Sequence, residues 1–153
     1  MCAYYLYVRV TVSDSQAWHV EHSIETSAPA EAIWRLFRDV AGWPRWNAGI
    51  AHIAIDGPFA EGTWFTMQPP GQEPLRSKLL QVRENAGFVD RTELGDLAVE
   101  VAHRITPLEG GRTRITYAVD AFGPDAAEIG AAVSSDFPSV LAALAAFAEG
   151  RAS

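Results

Sequence analysis

Cysteine is nearly absent from this 153-residue chain: Cys2 stands alone, which excludes an intrachain disulfide and a Cys-based zinc site. Basic residues are also scarce, with 12 Lys and Arg against 19 Asp and Glu for a net charge of −7. They are scattered through the chain, and phosphate contacts need clustered Lys and Arg, so nucleic acid is not an expected partner. No Gly-rich phosphate loop follows a strand, no His/Cys/carboxylate set has metal-ligand spacing, and no Gly-x-Ser-x-Gly elbow occurs. Nucleotide, haem and metal cofactors are therefore not expected. His19 and His22 lie three apart on a strand and point to opposite faces, so they cannot chelate one metal together. No segment reads as the roughly 18 consecutive apolar residues of a membrane helix. Residues 1–12 are apolar and aromatic but lack a basic start, a long apolar core and a small-residue cleavage site, so they read as mature protein. A cytoplasmic location is the resulting expectation.

What is present suits a globular domain: 48% of the residues are hydrophobic and 20% charged, and the length is that of one domain. Residues 18–150 are expected to form that domain. Residues 1–17 form an extension whose β-rich part, residues 4–12, either adds an edge strand or packs loosely outside. Residues 18–26 alternate, with Trp18, Val20, His22 and Ile24 on one face. Pro29 near a first helical position and Glu31 in the first turn mark a helix start. Ile33, Leu36, Phe37 and Val40 recur there at helical spacing, and Gly42 and Pro44 stop the run. Further strands are expected over 50–56, 62–68, 75–82, 87–93, 97–106 and 113–122, joined by turn-length connections, the pattern of an antiparallel meander. From Asp125 onward Val133, Phe137, Val140, Leu141, Leu144 and Ala148 form one apolar helical stripe, and Pro138 is expected to kink that helix without ending it. About 24 residues at 1.5 Å each would span roughly 36 Å, enough to cross a sheet. The expected class is α+β: a curved seven-stranded antiparallel sheet wrapped around a long C-terminal helix, with two short helices after the first strand.

In this order the elements resemble the polyketide cyclase/START-like superfamily, the helix-grip fold shared by the birch-pollen-allergen relatives. The resemblance rests on Ala28-Pro29-Ala30-Glu31-Ala32-Ile33-Trp34 and Trp43-Pro44-Arg45-Trp46-Asn47, then Gly57-Pro58 and Gly62-Thr63 around a hairpin. It continues through Gly111-Arg112-Thr113-Arg114-Ile115 to a terminal helix carrying Pro138, Leu141 and Leu144, covering about residues 18–149. It implies a cavity between the concave face of the sheet and the terminal helix. The Ala-rich helix is compatible with such a space, with Ala145 and Ala148 as candidate walls and Ala142, Ala143 and Ala146 as ordinary helix formers.

Within that frame His103 is the leading polar site residue, because it shares a face with Leu97, Val99, Val101 and Ile105. It reads either as a satisfied core residue or as a cavity group. His22 has the same argument on the first strand. Asp90 alternates with Phe88 and Thr92 and reads as an inward carboxyl, able to act as a general base if its pKa is raised, or as a solvent-facing one. Tyr117 places a phenol among apolar groups. Phe65 and Met67 are taken as the inward set of their strand, Trp64 as outward, and Phe137 and Leu141 complete the candidate ligand-binding residues. The leading function is binding of a small hydrophobic or aromatic metabolite, polyketide- or lipid-like. The alternative is an aromatase/cyclase or dehydratase in which His103, with Asp90 or Tyr117, transfers protons. A third reading, a co-chaperone-like interaction module, has no charge stripe or apolar patch assigned to it. A small hydrophobic ligand is the expected partner, and a homodimer remains open.

Overall fold

A computed structural model describes residues 16–150 of the chain; the strand considered for residues 4–12 lies outside them. Chain order runs β1 (Ala17–Thr26), α1 (Ala30–Arg38), a 3-10 turn (Val40–Arg45), β2 (His52–Ile55), β3 (Trp64–Gln68), β4 (Leu75–Arg83), β5 (Gly87–Leu94), β6 (Leu97–Pro107) and β7 (Thr113–Phe122). Two further helices follow, α2 (Ala126–Ser134) and α3 (Phe137–Ala148). The seven strands form one antiparallel sheet in the order β1-β7-β6-β5-β4-β3-β2, so β1 returns from the start of the chain to pair with β7.

Register explains how one face becomes a continuous wall, since residues opposite each other in an antiparallel pair share a face. Val82, Phe88, His103, Tyr117 and His22 form one inward row; Leu79, Asp90, Val101, Val119 and Val20 form the next; Ser77, Thr92, Val99, Ala121 and Trp18 the third. A register shift between Leu79 and Gln81 adds a residue to β4, so Leu80 turns outward while Leu79 and Val82 both stay inside. The outer face is polar, with Arg91–Glu100, Arg114–Glu25 and His19–Asp120 pairs bridging neighbouring strands.

The helices close over the concave face. Ile33, Trp34, Phe37 and Val40 of the first helical region are buried, and Trp43 Nε1 donates to the Phe37 carbonyl at 2.8 Å, fixing the break after α1. Val140, Leu141, Leu144 and Ala145 are buried on α3. Glu149 accepts hydrogen bonds from the Thr26 hydroxyl and the Ser27 N–H, tying the end of α3 to the β1–α1 corner.

The expected long C-terminal helix is present, and its irregularity at Pro138 takes the form of a two-residue interruption that divides it into α2 and α3. Pro138 has no N–H for the Ser134 carbonyl, and its ring collides with that carbonyl in a continuous helix. The chain therefore leaves the helix at Ser135–Asp136 and restarts with Pro138 in the first turn of α3, where no N–H is needed. The Ser134 and Ser135 hydroxyls donate to the Gly130 and Ala132 carbonyls, both at 2.9 Å. Residues 126–148 taken together, with a mean hydropathy of 1.5, are long and apolar enough by composition to cross a membrane, although Glu128, Ser134, Ser135, Asp136 and Ser139 interrupt any continuous apolar run. In the fold this segment is split and lies on the sheet.

Candidate functional site

Between the concave face, the 3-10 turn and the α2–α3 junction lies a cavity of about 490 Å³, a size that suits small molecules. Its floor carries polar groups from successive strands: Ser77 of β4, Asp90 and Thr92 of β5, His103 of β6 and Tyr117 of β7. Trp43, Trp46, Phe65, Met67 and Phe88 form the aromatic wall, and Ala132, Val133, Ser135, Asp136 and Phe137 form the opposite side.

His103 is held by aromatic rings. Phe88 stacks on it with centroids 3.9 Å apart and planes 9° off parallel, and Tyr117 meets it edge-on at 4.6 Å. Its Nδ1 is buried without a hydrogen-bond partner, and the nearest carboxylate oxygen, Asp90 Oδ2, is 3.9 Å away, beyond hydrogen-bonding range. Burial pushes the His103 pKa down to about 3, so the ring is neutral near pH 7.

Asp90 titrates in the opposite sense. It is 8% exposed, and burial, followed by the Glu100 charge, pushes its carboxyl up to about 7. Burial, and then the Asp90 charge, raises the Tyr117 phenol, which stays a proton donor. Among the described residues, no hydrogen bond from the protein satisfies either the Asp90 carboxyl or the Tyr117 hydroxyl. Ser77 and Thr92 do satisfy each other, with their hydroxyls 2.6 Å apart. The site thus offers one carboxyl that changes charge near neutrality and one phenolic donor, both beside a neutral imidazole.

Of the residues singled out from sequence, His103, Tyr117, Asp90, Phe65, Met67 and Phe137 come together on this cavity. His22 and Leu141 do not line it. His22 faces the same side, opposite Tyr117, but on edge strand β1, which α2 and α3 cover. Leu141, 1% exposed, is enclosed in the core beneath α3. Ala145 is buried away from the cavity and Ala148 packs against the core, so neither is a pocket wall. Trp64 is exposed beneath Arg76 and Lys78. The sequence offers Trp43 only within the motif that carries the resemblance, with no site role, and leaves out Ser77, which alternates with Leu75 and Leu79 and could have been found by that period. Asp136 had no sequence signal, because it reaches the cavity only through the helix break.

Among the described residues, no three His, Cys, Asp or Glu side chains converge as a metal site. His19 lies on the outer face between Asp120 and Glu21, and its hydrogen bond to Asp120 chiefly raises its pKa.

Solved structures share this architecture at low sequence identity. Norcoclaurine synthase from Thalictrum flavum superposes with a TM-score of 0.72 at 15% identity, covering 94% of each chain. The Zhui aromatase/cyclase from Streptomyces sp. R1128 gives 0.75 at 17% identity, over 88% of this chain and 95% of its own. A START superfamily protein from Mycobacterium smegmatis gives 0.70 at 20% identity, over 86% and 97%. None of the curated proteins matches the sequence. Residues 17–149 match the family described as polyketide cyclase/dehydrase and lipid transport, and the chain belongs to that family.

Proposed function

We propose that this protein binds a small, largely apolar molecule between the concave sheet face and the α2–α3 junction. One observation carries the reading: an aromatic-walled cavity of about 490 Å³ is lined by His103, whose buried Nδ1 has no hydrogen-bond partner among the described residues, beside Asp90 and Tyr117, which take no hydrogen bond from the protein. Unpaired buried polar groups are costly, and a ligand that supplies the missing hydrogen bonds offsets that cost. The test is titration with the neutral, apolar dye Nile red. Val133, half-buried on α2, lines the cavity, so Val133→Trp should weaken dye binding by about tenfold or more. Equal binding by that variant, with its fold intact by circular dichroism, would place the dye elsewhere and remove the reading.

A second reading, a cyclase or dehydratase, is favoured by the Asp90 carboxyl, whose pKa of about 7 suits proton transfer near neutrality. In that reading Asp90 moves the proton and Tyr117 donates a hydrogen bond, while His103, neutral near pH 7, orients. That differs from the sequence expectation, which gave His103 the proton. A rate that follows a single ionisation near pH 7 and disappears in Asp90→Asn would support it.

A further inference from the structure

The charge inventory of the cavity is one-sided. Among its lining residues there is no Lys or Arg, whereas Asp90 stands on the floor and Asp136 on the α2–α3 turn. The one remaining basic side chain, His103, is buried and stacked on Phe88, and it is neutral near pH 7. A ligand carboxylate or phosphate would have to leave water for a site with no cation to receive it and a carboxyl already there, a large desolvation cost without compensation.

A ligand cation meets the opposite situation. Asp90, more than nine-tenths buried, lines the cavity with no hydrogen bond from the protein, so its oxygens are free to accept from an ammonium. Six aromatic side chains, Trp43, Trp46, Phe65, Phe88, Tyr117 and Phe137, surround the same space, and ring faces attract a cation electrostatically. The net charge of −7 adds a long-range field of the same sign.

We infer that the cavity selects an amine: a molecule with an apolar, ring-sized body and one protonated nitrogen, held with that nitrogen at the Asp90 carboxylate and its body against the aromatic wall. This rests on the ligand-binding reading above and narrows its ligand class. It also predicts that fatty acids and other organic anions are poor ligands.

Three probes of one shape test it: 2-(2-naphthyl)ethylamine, 2-(2-naphthyl)ethanol and 2-naphthylacetate, each measured by displacement of Nile red. At pH 7.5 the amine should bind at least about tenfold tighter than the alcohol, and the carboxylate at least about tenfold weaker. Groups facing Asp90 are His103 from β6, Tyr117 from β7 and the neutral Ser77 and Leu79 from β4, with Glu100 on the other face of β6 and Asp136 across the cavity. Lowering the pH to 5.5 protonates Asp90 while the amine stays charged, so amine affinity should fall about 20-fold relative to that of the alcohol. In Asp90→Asn the ratio of amine to alcohol affinity should collapse toward one. Equal affinities for amine and alcohol in the wild-type protein, a preference for the carboxylate, or an amine preference that survives Asp90→Asn would each overturn the inference while leaving the cavity reading in place. Failure of Nile red and all three probes to bind would overturn the cavity reading and this inference with it.

Discussion

At the scale of single residues, Asp90 and His103 are buried in one cavity and lean toward neutrality from opposite sides. Between about pH 4 and 7 the unfolded chain ionises Asp90 while the fold keeps its proton, so this group lowers stability as pH rises. Between about pH 3 and 6.5 the unfolded chain protonates His103 while the fold does not, so this group raises stability as pH rises. Each slope approaches about 1.4 kcal/mol per pH unit, and from pH 4 to 6.5 they oppose each other. The wild-type contribution from the pair is thus nearly flat there. Asp90→Asn should unmask a stability that climbs from pH 4 to 6.5, and His103→Gln one that falls from pH 4 to 7, both read by urea unfolding. Parallel pH profiles for wild type and both variants would show that neither burial shift exists.

At the scale of elements, close approach matters more than propensity. Gly130 sits on α2 against the Trp18 ring of β1, and an added Cβ would overlap that ring. Alanine is the better helix former by about 1 kcal/mol, yet Gly130→Ala should destabilise by about 1–3 kcal/mol through overpacking; a melting temperature that rises would show α2 free of β1. Leu141→Ala on α3 should cost about 2–5 kcal/mol as a core truncation. A loss below about half a kcal/mol in chemical denaturation would mean that α3 does not rest on the sheet.

For the whole molecule, the two faces of the sheet contribute unequally. Apart from the part-buried Arg91–Glu100 pair, the outer ion pairs named above are solvent-exposed, and Arg114, which reaches Glu25 at 3.1 Å, is 44% exposed on its side chain. Such pairs are worth little, so Arg114→Gln should leave the melting temperature almost unchanged. The concave face has far more to gain from an occupant. A cavity ligand at ten times its dissociation constant should stabilise the fold by about 1.4 kcal/mol, visible as a melting temperature that rises with ligand concentration. No rise with a ligand shown to bind would mean that it binds the unfolded chain equally.

Much was legible in the sequence because it is local. Alternation in residues 18–26, 97–106 and 113–122 set which side chains share a face, and turn formers set where strands stop. That suffices to group His103 and Tyr117 with the apolar residues of their strands, whereas Asp90 stays between an inward and a solvent-facing reading until the sheet is formed. The sequence alone could not show the β4 bulge, or that His22 and Leu141 lie outside the cavity that holds the others, whereas Pro138 marked where the long helix is interrupted. A bulge depends on the partner strand. Whether an inward residue lines space or fills it depends on what covers it. Local patterning determined the inward face, and only the packing of α2, α3 and the 3-10 turn over that face decided which part of it stayed open, because burial is a property of neighbours distant in sequence.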